Sequence, residues 1–247
     1  MKNKFQKITN SFSLLFSLLF ILSFTSFTSN EKLVEGKIIS YITDSKKEDI
    51  QFYWKDDKSK ILGSIQNLKK WLDSKNKKLV FAMNGGMYTK EQDPQGLFIQ
   101  NQKKITPLDT LSGKGNFYLK PNGVFYITSH NEPKITTTTG FIDDKKIKYA
   151  TQSGPMLVIN GEIHSAFKEG SQNLNIRNGV GILPDNKIIF SISKEAINFY
   201  DFAMYFKNLG CKNALYLDGF VSRAYYPEKN WMQTDGNFGV IIGITNN

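Results

Sequence analysis

The sequence predicts an α+β fold in a single domain: mostly antiparallel or mixed sheet, with two main amphipathic helices packed on it. Three observations carry this. Short runs of β-branched and aromatic residues recur along the chain, separated by Asn, Gly, Pro and Asp in turn-forming combinations. Only two segments place apolar residues at helical spacing. The strand–helix alternation of a doubly wound fold is absent, and nothing repeats at a fixed period. With 247 residues, 40% hydrophobic and 13% aromatic, the chain can bury one sizeable core.

The first segment reads as a secretory signal. "MKNKFQK" supplies three lysines and "SFSLLFSLLFILSFTSF" an apolar run, short for a membrane span and ending among small residues. A signal peptide over residues 1–29 and a domain over 30–247 are expected, and with them an exported protein, periplasmic or secreted. Membrane contact is expected only through this segment, were it to stay uncleaved. No cysteine lies near it, which excludes a lipid-modified N-terminal cysteine. The single cysteine, Cys211, excludes an internal disulfide framework and reads as a small buried hydrophobe.

Along the chain, "GKIISYIT" (36–43) and "DIQFYW" (49–54) are two strands joined by a charged turn. "SIQNLKKWLDSK" is the first helix: Ser64 is its N-cap, and Ile65, Leu68, Trp71 and Leu72 share a face. "KLVFAMNGG" is an apolar strand ending in Asn84-Gly85-Gly86. "GLFIQNQKKI" and "NFYLKPNGVFYIT" read as hairpins, with "LSGKGN" a loop between them. "KITTTTGFID" is a polar strand, and "YATQSGPMLVINGEIH" holds a hairpin at Asn160-Gly161. "FKEGSQNLNIRN" is a long loop. "GVGILPDNKIIFSIS" is a hairpin turning at Pro184-Asp185-Asn186. "INFYDFAMYFKNLGC" is the second helix, stopped by Gly210, and "NALYLDG" and "FGVIIGIT" hold the last strands.

The net charge of +10 excludes less than it suggests. Residues 1–30 hold three lysines and no acidic residue, leaving +7 for the rest. Many basic residues fall in turn-like strings such as "KDDKSK" and "DDKKIK", scattered and without a reading module, so no nucleic-acid partner is expected. The field suits an anionic small substrate or an anionic glycan. Two lone histidines and one cysteine argue against a zinc site, and no metal or cofactor is expected. "SGPM" lacks the G-x-S-x-G elbow, and no histidine is placed to serve Ser153 or Ser222, which disfavours an acyl or peptide hydrolase. Phosphate-loop and dinucleotide patterns are missing.

Four junctions share one arrangement, an apolar strand meeting a polar residue and glycine: "FAMNGGMY", "ATQSGPML", "NIRNGVGI" and "YLDGFVSR". Each read singly is as much a turn as the wall of a site. Together they offer a carboxylate (Asp218), a guanidinium (Arg177), amides (Asn84, Gln152, Asn178), hydroxyls (Ser153, Ser222) and close backbone approach at Gly85, Gly86 and Gly219. That set suits an anionic oxygen substrate, onto which arginine forks two charge-assisted bonds.

The ordered series "AMNGGMY", "DPQGLFIQNQK", "GNFYLKPNGVFYI", "TQSGPMLVINGEI", "RNGVGIL" and "NALYLDGFVS" resembles the phosphodiester glycosidase family, in its bacterial exported branch, over roughly residues 78–244. The family also contains the "uncovering" N-acetylglucosaminidase domain. The resemblance implies hydrolysis of a sugar-1-phosphodiester between the anomeric carbon and the phosphate oxygen. Asp218 would act as nucleophile or general base, and Arg177 would hold the phosphate. Asn84, Gln152, Ser153, Asn178 and Ser222 would bind substrate. A phosphate leaving group is already a stable anion, so one carboxylate and one arginine suit it better than they suit a plain glycoside. The family's usual LDGGGS is here "LDGFVS", with Phe220 and Val221 replacing glycines. N-acetylglucosamine specificity does not carry over, and a non-catalytic carbohydrate- or envelope-binding protein on the same scaffold stands as the alternative.

Overall fold

The structure of the protein, a computed structural model, describes residues 36–218 and 221–246, with Asp218 described through its backbone only. The predicted signal segment and Gly219 lie outside the described residues. From the N-terminal side, β1 (Ile38–Thr43) and β2 (Asp49–Tyr53) lead to helix α1 (Ile65–Asp73), then β3 (Lys78–Asn84), β4 (Phe98–Gln100) and β5 (Lys103–Thr106). Next come β6 (Gly123–Thr128), β7 (Pro133–Thr137), β8 (Ile147–Ser153), β9 (Met156–Ile159) and β10 (Glu162–Ile163). The rest is β11 (Asn178–Ile182), β12 (Ile188–Ser193), helix α2 (Phe199–Asn208), β13 (Ala214–Asp218), β14 (Ala224–Tyr226), β15 (Trp231–Met232) and β16 (Ile241–Asn246).

The described strands form three sheets, ordered β1-β12-β11-β13-β9-β10, β15-β14-β3-β16-β2 and β5-β4-β8-β6-β7, and their pairings are antiparallel. This is the predicted α+β fold. Turn chemistry sets the hairpins. Asn101 and Gln102 (φ 50° and 64°) close β4 onto β5, and Asn160 and Gly161 (φ 51° and 88°) close β9 onto β10. Both helices start on the side chains the sequence offers. Ser64 Oγ accepts the Asn67 N–H at 3.2 Å, and Asn198 Oδ1 accepts the Asp201 N–H at 2.8 Å.

β1 and β2 are two strands joined by the charged turn, as expected, and each pairs elsewhere: β1 adds to β12, and β2 to β16 in another sheet. One expectation is corrected. "NFYLKPNGVFYIT" is not a hairpin, because Asn116–Tyr118 winds into a single 3-10 turn and only the second half is a strand. Asn122 Nδ2 donates back to the Phe117 carbonyl five residues earlier at 2.9 Å, closing the segment locally.

Apolar burial explains the layering. Phe52, Phe81, Phe98, Phe125, Phe190, Leu215, Leu217 and Ile242 draw all three sheets onto one aromatic-rich core. Helix α2 covers the other face of the first sheet with Phe202, Ala203 and Phe206 against Leu157, Ala214 and Tyr216. Helix α1 does the same for the second sheet through Ile65, Leu68 and Leu72 against Leu79 and Ile241. Each buried Leu, Ile or Phe among them stabilises the fold by about 1.5–3 kcal/mol. No helix among the described residues is long and apolar enough to cross a membrane.

Candidate active site

Asn84 ends β3, Ser153 ends β8 and Asp218 ends β13, while Asn178 begins β11, which runs antiparallel to β13. In the β11–β13 pair, Asn178 is in register with Asp218, and a bulge follows between Asn178 and Gly179. Bulges re-aim side chains at strand ends and recur beside active sites. The Asp218 side chain, Gly219 and Phe220 lie outside the described residues.

Asn84, Asn178 and Ser222 form one buried polar cluster. Asn178 Nδ2 donates to the Asn84 carbonyl at 2.9 Å and to Asn84 Oδ1 at 3.1 Å. Ser222 Oγ is 3.1 Å from the Ile176 carbonyl and 3.3 Å from Asn178 Oδ1. Asn84 Oδ1 also accepts the Arg223 N–H at 2.8 Å. One asparagine thus fastens β3 to β11 and to the chain that follows the Asp218 turn. The glycines after Asn84 let β16 and β8 come close to the end of β3. A Cβ on Gly85 would lie 2.5 Å from Ile242 Cγ1, and one on Gly86 would run into Thr151 Oγ1.

Arg177 is 1% exposed and held by neutral groups. Its Nε donates to the Ile197 carbonyl at 2.8 Å, Nη2 to the Asn173 carbonyl at 2.8 Å, and Nη1 to the Tyr216 hydroxyl at 3.3 Å. The guanidinium lies 3.6 Å from the ring centre of Phe199, which stacks in turn on Phe167 at 4.7 Å and an interplanar angle of 5°. Burial lowers its pKa, with Tyr216 opposing, but an arginine remains a cation. Among the described residues no carboxylate pairs with it.

Gln152 and Ser153 are structural in this arrangement. Gln152 Oε1 accepts the Leu97 and Asp109 N–H groups, both at 2.9 Å, and Nε2 donates to the Asp109 carbonyl at 2.6 Å and Thr138 Oγ1 at 3.2 Å. That fills both ends of the amide, so Gln152 is a strut holding two loops rather than a group aimed at a ligand. Ser153 Oγ donates to the Leu217 carbonyl at 2.7 Å, tying β8 to the strand that delivers Asp218. Neither Ser153 nor Ser222 donates to a histidine within these bonds. Buried His164, whose pKa burial lowers, accepts the Ala166 N–H through Nδ1 and stacks on Phe167.

Three contributors were not singled out from sequence: Phe199, Tyr216 and Arg223. Phe199 and Tyr216 look like core aromatics, and nothing in their spacing marks them as seats for a guanidinium. Arg223 carried a signal, its adjacency to Ser222. Among the described residues, no group of three or more His, Cys, Asp or Glu is arranged to hold a metal ion.

Comparison with known proteins bears on the family and the fold. The family model described as phosphodiester glycosidase matches residues 77–244. The Escherichia coli (strain K12) protein YigE is 37% identical over 187 residues, covering 75% of this chain and 73% of that one. Among solved structures, the catalytic domain of zebrafish N-acetylglucosamine-1-phosphodiester alpha-N-acetylglucosaminidase, auto-inhibited by its pro-peptide, superposes with a TM-score of 0.54 at 13% identity, over 85% of this chain and 89% of that one. A protein described as exported, from Burkholderia pseudomallei, gives a TM-score of 0.55 at 9% identity, over 84% and 73% of the two chains. At such identities these two structures establish the shared fold. The family match and the YigE relationship together show that this chain belongs to the phosphodiester glycosidase family.

Proposed function

We propose that the protein is a hydrolase of a sugar-1-phosphodiester, acting as an exported protein on an envelope or secreted glycan. One observation carries the reading: a buried arginine, held only by neutral acceptors among the described residues, directly precedes the residue in register with Asp218. A buried cation without an anionic partner is costly, and a phosphate is its natural complement. Arg177 offers that phosphate its Nη1 edge, where the 3.3 Å Tyr216 contact is the longest of its bonds. Asp218 serves as nucleophile or general base at the anomeric carbon. Arg177 stabilises the charge that develops on the departing phosphate, which needs little protonation. Asn84, Asn178 and Ser222 shape the wall, and Gln152 and Ser153 act through the loops and strand they hold.

The test is turnover of a panel of sugar-1-phosphodiesters by the purified protein. Asp218→Asn should abolish hydrolysis. Arg177→Lys, which keeps the charge but loses the planar fork, should lower kcat/KM at least about a hundredfold, the size of effect typical of a lost transition-state donor. Thermal unfolding of both variants controls for folding. Near-wild-type turnover in either folded variant refutes the assignment. The second reading, a binding protein without turnover, is favoured by Phe220 and Val221 in "LDGFVS"; ligand binding without sugar release would select it.

A further inference from the structure

The site carries a second guanidinium that the reading above leaves unused. Arg223 is anchored at its backbone, where its N–H donates to Asn84 Oδ1 at 2.8 Å, the same oxygen that accepts from Asn178. Its side chain turns outward. Nε and Nη2 make a two-pronged bond to Asp235, at 2.8 Å to Oδ1 and 2.9 Å to Oδ2, while Nη1 donates to the Ser222 carbonyl at 3.0 Å. The side chains are 32% and 65% exposed. Asp235 lies in the segment before β16, whose Thr234 carbonyl accepts the Gln66 N–H at the start of α1.

Two features set this pair apart from the lysine–carboxylate pairs elsewhere on the surface. It uses both prongs of an arginine fork, the geometry that recognises a carboxylate or a phosphate. It also grows from the polar cluster itself: Ser222 reaches Ile176 and Asn178 on one side, and its carbonyl steadies Arg223 on the other. The pair is partly exposed and screened by solvent, and Asp235 offers the fork nothing that another two-oxygen anion does not. An anion that brings its own two oxygens can therefore replace Asp235 at small cost, and it finds the guanidinium already oriented. Arg177, by contrast, is buried and meets an anion only through its Nη1 edge, in the reading above.

We propose that Arg223 is a second anion-recognition residue at the outer rim of the site, its fork held by Asp235 and ceded to a two-oxygen anion of the ligand. This rests on the assignment of the site made above. It implies a substrate with a second negative charge beyond the scissile phosphodiester, either a further phosphate or a sugar carboxylate, as in an anionic polymer. Asp235 is then a competitor that tunes affinity.

The experiment compares wild type, Arg223→Gln and Asp235→Asn in the full chain. Inorganic phosphate and glucuronate are titrated separately by calorimetry, and the phosphate series is repeated in an Arg177→Lys background. Arg223→Gln should weaken binding of the preferred anion about tenfold and Asp235→Asn should tighten it about threefold, with both shifts persisting in the Arg177→Lys background. Whichever anion responds identifies the source of the charge. In turnover, the ratio of kcat/KM for a phosphodiester with an anionic aglycone over one with a neutral aglycone should fall in Arg223→Gln and rise in Asp235→Asn. Unchanged affinities in both variants, accompanied only by a lower unfolding temperature, would reduce the pair to a loop staple and overturn the proposal. The calorimetry needs no hydrolysis, so a protein that turns over nothing still decides the role of Arg223.

Discussion

Asn178 bears more of the site's architecture than its size suggests. Its amide serves both oxygens of Asn84, and Asn84 serves Arg223 in turn. Asn178→Ala leaves buried acceptors short of a donor and should destabilise the protein by about 1–3 kcal/mol in urea unfolding. Cys211 behaves in the opposite way, as a passive hydrophobe. Burial pushes its thiol up from 9.0 to about 12. Folding thus favours the neutral form, a contribution fully present below pH 9.0 and lost as pH rises toward about 12. The native protein should react negligibly with a disulfide reagent at pH 8, and the unfolded protein promptly; prompt labelling under native conditions would show that the thiol is not sealed.

At the scale of elements, the site depends on how helix α2 begins. Its N-cap Asn198 accepts the Asp201 N–H at 2.8 Å, and the next residue, Phe199, is the ring on which Arg177 rests. Asn198→Ala should cost about 0.5–2 kcal/mol as a lost cap. It should also lower kcat/KM, because the helix start is the floor beneath the guanidinium. An equal cost in stability from Ser64→Ala, which caps α1 instead, should leave turnover much less affected. The β3 end is equally constrained. A methyl at Gly85 would meet both the side chain of Ile242 at 2.5 Å and its backbone nitrogen at 3.2 Å, so the strand must shift. Gly85→Ala should destabilise by about 1–3 kcal/mol, read from the denaturation midpoint.

For the whole molecule, charge and sheet closure are the relevant quantities. A net charge of +10 draws anions toward the protein, and salt weakens that attraction as the screening length falls from about 10 Å at 0.1 M to about 3 Å at 1 M. Affinity for a sugar phosphodiester should accordingly fall several-fold as salt rises across that range, while unfolding stability changes little. A flat salt response would remove the long-range field from the account of binding.

Most strands, both helices and the four polar junctions were legible because each follows from its neighbours in the chain. The Asn-Gly at 160–161 turns wherever it is placed, and Ser64 caps whatever helix follows it. Roles within the site were not legible at that level. Gln152 reads as a ligand-binding amide, yet Leu97, Asp109 and Thr138 saturate it. Arg177 reads as a phosphate-holding residue, but its seat on the Phe199 ring cannot be read from its neighbours in the chain. Arg223 stands in "YLDGFVSR" with no role legible from its neighbours, yet its backbone bonds to Asn84, 139 positions earlier. The sequence by itself determined which polar residues stand at strand ends and where the backbone turns, since propensity and turn chemistry act over a few residues. Only the tertiary structure decided which of those polar groups are spent on the protein. A hydrogen bond is made with whatever the closing sheets bring within about 3 Å, and local sequence does not specify that partner.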